Sequence, residues 1–225
     1  MSTPTLALRA FGAVSVVHLA ARLTRHRRIA HLTQPILIPA LVAQQRTSTS
    51  GSRPRTWVDA GLAASWAGDS LPLLQRGTKA LRTKMVCFAG THLAYVAGFG
   101  PMAIRQATQR PASLVGPVLG YGALNLLVQP LFDQKARERG LHAALVGYAA
   151  LLTATGVVTA AVGGRAGWGG ALFVTSDALI AVREFAPERQ LQLGRLDLHG
   201  FLVMAMYLSA QALILRAADD GSATP

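Results

Sequence analysis

Apolar residues fall in long blocks along this chain, separated by short polar and basic connections. Most blocks have roughly the 17–22 residues that cross the ~30 Å hydrocarbon core of a bilayer as a helix. We expect eight membrane spans, at residues 6–23, 31–45, 57–74, 85–100, 113–132, 141–162, 168–185 and 199–215. The pattern therefore predicts an all-α, polytopic transmembrane bundle that forms a single domain over residues 1–225.

Polar segments divide these blocks. The Ser/Thr/Arg-rich stretch 46–55 has the composition of a linker, residues 133–139 form a charged turn, and residues 219–225 form a disordered tail. Two blocks are interrupted. The first contains Arg9 and His18, and the second contains Pro35 and Pro39, which predict a kink supported by neighbouring helices.

Composition supports the membrane interpretation. The chain is 51% hydrophobic and 14% charged, whereas an average soluble domain is about 25% charged. A soluble bundle of helices that are apolar all round is the alternative, but too few polar faces remain to coat it. Cys87 is the single cysteine, so no disulfide forms within the chain.

The formal net charge of +12 comes mostly from arginines in the connections between blocks. Positive-inside topology and anionic headgroups explain this distribution, and no nucleic-acid-binding motif accompanies it. Of the 22 Lys and Arg residues, 14 fall on the side of the connections after spans one, three, five and seven, and 8 on the other. The count favours both termini outside.

Two acids stand well inside apolar blocks, away from the block ends: Asp69 in span three and Asp177 in span seven. A carboxylate in hydrocarbon costs about 3 kcal/mol on insertion scales, so each needs a partner or a function. Asp69 lies 12 residues after Trp57 and Asp177 lies 9 after Trp168. Because both spans run in the same direction, the carboxylates reach similar depths, within about 5 Å.

The sequences around the two acids also match, WAGDSL against VTSDAL, and their spans, the third and the seventh, are offset by four. A duplicated four-helix unit, a 4+4 repeat, is therefore a candidate organisation. Two carboxylates in one cavity would repel each other and divide into a general acid and a general base. Two alternatives stay open: each Asp pairs with a buried Arg, His or Tyr to fix helix register, or the acids bind protons or cations in a transporter.

Other polar side chains lie within spans. His92 and Tyr95 share a face of span four, and Tyr207 and Gln211 share a face of span eight. Each pair lines the cavity or makes interhelical hydrogen bonds. No metal-binding or nucleotide-binding motif is present, so we expect no metal and no cofactor.

The order of these features resembles the YhhN-type lysoplasmalogenase family of integral membrane proteins. The resemblance covers about residues 30–215. It is carried by TQP with Pro39 in span two, SWAGD at 65–69, HLAY at 92–95 with Phe99, GALFVTSD at 170–177, and Tyr207 with Gln211. The two Asp-centred motifs and their separation are the specific part of the match.

The resemblance implies hydrolysis of the vinyl ether bond of lysoplasmalogens, with release of a fatty aldehyde. Asp69 and Asp177 would be the catalytic acids, and substrate binding would involve His92, Tyr95, Tyr207, Gln211 and Gln34. The family usually has Lys where this chain has Gln34, a departure that bears on the lipid headgroup. The expected partners are a lysophospholipid substrate and membrane lipids, with no nucleic acid and no protein partner. The expected location is a bacterial plasma membrane. A transporter of lipids or small solutes with proton-binding aspartates is the alternative.

Overall fold

Helices make up nearly all of the computed structural model, which describes residues 3–45 and 53–220. Within these ranges there are nine α-helices and no named strand. In chain order they are α1 (Thr3–Leu23), α2 (Arg27–Gln45), α3 (Arg53–Ser70), α4 (Gly77–Gln109), α5 (Val115–Val128), α6 (Pro130–Glu138), α7 (His142–Val162), α8 (Gly164–Phe185) and α9 (Leu198–Asp220).

The all-α helical bundle predicted from the apolar blocks is confirmed. Eight of these helices coincide with the eight predicted spans, and α6 is the additional short one. Four segments are long and apolar enough to cross a membrane: Gly77–Gln109, Pro111–Val128, His142–Val162 and Leu198–Asp220. The other long helices, α1, α2, α3 and α8, carry charged residues or prolines within their length. The count of eight spans stays a prediction.

Helix α6 corrects the prediction of a charged turn at residues 133–139. Pro130 ends the hydrogen bonding of α5 and begins a new helix, since proline fits the first helical position. The side chain of Arg137 then pairs with Asp133 one turn back, at 3.1 Å. The helix ends before Gly140, whose φ of +63° favours glycine.

The predicted tail is also shorter than expected. Helix α9 continues through Asp220, so Asp219 and Asp220 are helical, and residues 221–225 lie outside the described part of the chain. Arg165 pairs with Asp220 at the end of this helix. Of the predicted linker, residues 46–52 lie outside the described ranges, while residues 53–55 belong to α3.

Glycines let the two Asp-bearing helices approach their neighbours closely. The main packed pairs are α3 with α4 and α8 with α9. A Cβ atom on Gly61 would overlap the Tyr95 ring, and one on Gly170 would overlap Thr159. A Cβ on Gly68 would stand 2.7 Å from the Phe88 ring. Small residues of this kind allow helices to pack in a lipid environment.

The prolines of α2 are accommodated by a neighbouring helix, as predicted. Pro39 has no N–H, so it cannot bond the carbonyl of Pro35 four residues earlier. Trp66 of α3 donates its indole N–H to that carbonyl at 2.9 Å. The bond satisfies the carbonyl and fixes α2 beside the segment that carries Asp69.

Candidate functional site

Asp69 lies near the C-terminal end of α3 and is buried, with only 3% of the residue's surface exposed. Both carboxylate oxygens accept a hydrogen bond. The amide of Gln34 on α2 donates to Oδ1 at 3.0 Å, and the hydroxyl of Tyr207 on α9 donates to Oδ2 at 2.7 Å. Asp69 therefore joins three helices that are distant in sequence.

Asp177, in the middle of α8, is arranged differently. Its Oδ2 accepts a hydrogen bond from the Tyr148 hydroxyl of α7 and lies 3.1 Å from Nε2 of His92 on α4. Its Oδ1 is buried and has no hydrogen-bond partner among the described residues. A buried oxygen without a partner is costly, so this atom marks the place where a ligand or a proton would be accommodated.

His92 is fully buried, and its second nitrogen, Nδ1, lies 3.1 Å from the hydroxyl of Thr155. That hydroxyl also lies 3.0 Å from the carbonyl of Leu151. Because the Thr155 hydroxyl donates its hydrogen bond to this carbonyl, its oxygen accepts from Nδ1 of His92, which is the donor. The contact between Nε2 and Asp177 then needs a second proton, which either the imidazole or the carboxyl group carries.

Aromatic rings separate the two carboxylates. Phe173 packs against His92, with ring centroids 4.8 Å apart, and against Tyr207, at 5.8 Å. Phe88 packs against Phe173 at 6.2 Å and against Tyr207 at 5.8 Å.

Each carboxylate lines a cavity. Asp69, Gln34 and Tyr207 face a polar cavity of about 180 Å³. Asp177 and Tyr148 face an apolar cavity of about 110 Å³ between α4, α5, α7 and α8. The two cavities share four lining residues: Lys84, Phe88, Ile180 and Glu184. The two cavities therefore adjoin, and one carboxylate lines each of them.

Most of the site residues predicted from the sequence meet at these centres. Gln34 and Tyr207 contact Asp69, and His92 contacts Asp177. Both acids also contact a Tyr or a His on another helix. The alternative that these contacts only fix the register of the helices therefore stays open.

Tyr95 and Gln211 lie elsewhere. The Tyr95 hydroxyl donates to Oε1 of Gln211, whose amide donates to Ser65 at 2.8 Å. Ser65 lies 3.0 Å from Thr91, and all four residues are fully buried. Neither Tyr95 nor Gln211 lines the cavities at the carboxylates, so their substrate-binding role stays a prediction.

Sequence reasoning missed Tyr148 and Thr155. Both belong to the most apolar predicted span, residues 141–162. The signal that could have identified them is that they are polar side chains inside such an apolar block. Three cations were also missed as site residues: Arg22, Lys84 and Arg183 line the polar cavity. They had been assigned to connections, where basic residues are expected. Among the described residues, no group of three or more His, Cys, Asp or Glu side chains is placed to hold a metal ion.

The helical architecture, the apolar spans and the buried carboxylates define a polytopic membrane protein with an intramembrane polar site. The model of the YhhN family matches residues 29–218, which is most of the chain, and the protein belongs to that family. Comparison with curated proteins and with solved structures gives no match.

Proposed function

We propose that this protein is a membrane-embedded hydrolase of a bacterial plasma membrane that cleaves the vinyl ether bond of lysoplasmalogen-type lysophospholipids. The observation that carries the proposal is the pair of buried carboxylates at adjoining cavities, each held by a tyrosine hydroxyl and a nitrogen-bearing side chain. Membership of the YhhN family supports the same class of activity.

Two carboxyl groups suit this reaction. A vinyl ether is hydrolysed when a proton is added to its β-carbon, the alkene carbon remote from oxygen, which leaves an oxocarbenium ion. Water adds to the α-carbon of that cation and loses a proton to a base. The resulting hemiacetal loses its hydroxyl proton and breaks its bond to the glycerol oxygen, which takes up a proton. The sum is one vinyl ether and one water converted to one aldehyde and one alcohol.

Asp177 is the proton donor in this scheme. Its Oδ1 has no partner among the described residues, so the protonated oxygen can face the alkene. His92, buried beside Oδ2, resupplies the proton. A general acid placed in this way contributes about 10²–10⁴ to the rate.

Asp69 is the anionic partner. Gln34 and Tyr207 donate to its two oxygens, which stabilises the charged carboxylate. A fixed negative charge next to the cavity stabilises an oxocarbenium ion and accepts a proton from the attacking water. The apolar cavity at Asp177 accommodates the hydrocarbon chain, since its lining is dominated by Leu, Val, Ala and aromatic side chains.

Aldehyde release is the direct test. Purified protein is given a vinyl-ether lysophospholipid, with a 1-acyl lysophospholipid as the control substrate. We expect aldehyde from wild type, and none above background from Asp69→Asn or Asp177→Asn at similar thermal stability. A folded wild type that releases no aldehyde contradicts the proposal.

Deuterated water tests the mechanism. Protonation at the β-carbon places one deuterium on carbon 2 of the aldehyde, which is trapped at once by reduction and read by mass spectrometry. In ¹⁸O-labelled water, the glycerophospho product carries no label, because the glycerol C–O bond stays intact. Label in that product contradicts attack at the vinyl carbon.

A transporter with proton-binding aspartates is the second candidate. It is favoured by the placement of the donors, because the carboxylates lie on α3 and α8, the third and seventh long helices, and each is bonded from both halves of the chain. Repeats that meet at a midplane site are common in transporters. Solute flux into vesicles without chemical change of the solute supports this candidate.

A further inference from the structure

The polar cavity beside Asp69 contains more positive charge than the acid chemistry uses. Arg22 at the end of α1, Lys84 in the third turn of α4 and Arg183 near the end of α8 all line it. The three residues come from three helices and line the same cavity. The reaction proposed above assigns none of them a role.

Two of these cations carry N–H groups without partners. Nε of Arg22 and Nη1 of Arg183 are buried, and neither has a hydrogen-bond partner among the described residues. A buried guanidinium N–H that makes no bond is costly, more so than a neutral donor. Two such donors at one cavity indicate that an acceptor belongs between them.

Arg183 is held in position from behind. Its Nη2 donates to Oδ2 of Asp197 at 3.1 Å, and Asp197 is fixed in turn by the backbone N–H of Gly200 at 2.7 Å. Gly200 gives the guanidinium room, since a Cβ there would stand 2.9 Å from Nη1. The ion pair uses Nη2 of Arg183, and Nη1 has no hydrogen-bond partner among the described residues.

The acids nearby leave Arg22 without a close counter-ion. Asp197 bonds Arg183, and Glu184 lies 3.6 Å from Arg139. Asp69 and Asp197 act on Arg22 from a distance, and Arg183 repels it. The neighbouring Gln34 amide already donates to Asp69. An anion at the cavity would relieve the repulsion between the arginines and accept from both.

We propose that Arg22, Arg183 and Lys84 form the binding site for the phosphate group of the lipid substrate. Arginine forks match phosphate oxygens, and lysine adds a point charge. The apolar cavity then receives the hydrocarbon chain, and the vinyl ether, one glycerol unit from the phosphate, crosses the boundary between Asp69 and Asp177. This assignment rests on the proposed function and adds a determinant of specificity to it.

Binding of two uncleavable ligands tests the site without relying on turnover. The full-length protein is titrated with a 1-O-alkyl lysophospholipid and with a 1-O-alkylglycerol of the same chain length, which lacks the phosphate. We expect wild type to bind the phospholipid at least about 10-fold more tightly, the size of one charge-assisted hydrogen bond. Arg22→Gln and Arg183→Gln should remove most of that preference and leave alkylglycerol binding unchanged.

Two further variants serve as controls. Arg22→Lys keeps the charge and should restore part of the preference, which separates recognition from folding. Arg28→Gln removes the same charge from an exposed position on the same side of the bundle and should change neither affinity. Equal affinity of wild type for the two ligands, or an equal loss for both in Arg22→Gln, overturns the assignment.

Inorganic phosphate distinguishes a lipid headgroup from a free anion. Millimolar phosphate that leaves the alkyl lysophospholipid bound supports the lipid assignment, whereas phosphate that binds as tightly as the lipid overturns it. The result is independent of catalysis. A wild type that shows the phosphate preference but releases no aldehyde retains the anion site and refutes the hydrolase. A wild type that releases aldehyde but shows no phosphate preference supports the hydrolase and refutes the anion site.

Discussion

The two carboxylate centres have the same kinds of partner and distribute them in opposite ways. Asp69 accepts a hydrogen bond from Gln34 on one oxygen and from Tyr207 on the other. Asp177 receives both His92 and Tyr148 on a single oxygen, which leaves Oδ1 buried without a partner in the described part of the chain. The first arrangement stabilises an anion, and the second leaves an oxygen open to the substrate. Equal burial therefore does not mean equal function.

Replacing each acid by its amide gives the largest expected effect. Asp177→Asn should lower kcat/KM about 10³-fold with little change in Tm, because the new amide nitrogen can take the unpaired Oδ1 position. Asp69→Asn should lower activity similarly and also lower Tm, because its amide nitrogen must face either the Gln34 amide or the Tyr207 hydroxyl. Kinetics with thermal unfolding in detergent compare them. Equal losses of Tm would refute the difference between the centres.

Removal of the tyrosine hydroxyls sharpens the comparison. Tyr207→Phe leaves Oδ2 of Asp69 without a donor and should cost about 1–3 kcal/mol of unfolding free energy, with a tenfold or greater fall in kcat. Tyr148→Phe leaves His92 on the same oxygen of Asp177, so its cost should be about 1 kcal/mol. Denaturant or thermal unfolding of both variants measures the difference. A larger loss in Tyr148→Phe would contradict it.

Tyr95 tests whether a buried hydrogen bond remote from the cavities affects the reaction. Tyr95→Phe leaves Oε1 of Gln211 without its donor and should lower the unfolding free energy by about 1–2 kcal/mol. We expect kcat and KM within about twofold of wild type, because neither residue lines the cavities at the carboxylates. A tenfold rise in KM at unchanged Tm would instead support the substrate-binding role predicted from the sequence.

The smallest expected effect on stability is at Asp197, a carboxylate outside the predicted spans that serves as a reference for the two buried ones. Burial alone would raise the pKa of Asp197, but the Gly200 N–H and the Arg183 guanidinium lower it below its ordinary value. Its contribution is therefore complete above the unfolded-state pKa of about 3.9 and is lost as the pH falls through the lower folded-state value.

Asp197→Asn keeps the helix cap of α9 and removes the charge. We expect this variant to have a lower unfolding free energy than wild type at pH 7, by less than about 1 kcal/mol. The difference should shrink as the pH falls below about 4 in a series of melting curves. A difference that grows with acidity would contradict the sign of the shift.

The sequence allowed the helices and the two acids to be predicted because both are local signals. Long apolar blocks specify spans, and a charge within one is visible without a structure. The donors could not be predicted in the same way. Tyr148 and Thr155 are ordinary residues of an apolar helix, and only packing against α4 makes them partners of His92 and Asp177. His92 and Tyr95, three residues apart on α4, both make interhelical hydrogen bonds, which is one of the two roles that the sequence left open, and they make them with different neighbours.

Basic residues were the hardest to interpret. Arg22 and Arg183 stand near helix ends, where positive charge is expected for topology alone. Their position around one cavity depends on the packing of α1 and of α8 against α9. Helix α6 was missed for a related reason, since its charged sequence resembles a connection and its helicity depends on Pro130 and on pairs one turn apart.

The hydrogen bond from Tyr207 to Asp69 also constrains how the protein is made. The two hydrogen-bond partners of Asp177 precede it in the chain, so they are already present when α8 is synthesised. Asp69 must wait for Tyr207, 138 residues later, which at about 5–20 residues per second is roughly 7–28 s of translation. During that interval, of its two hydrogen-bond donors only Gln34 has been synthesised. Helix α9, the C-terminal helix of the described residues, thus completes the hydrogen bonding of an acid that was synthesised on α3.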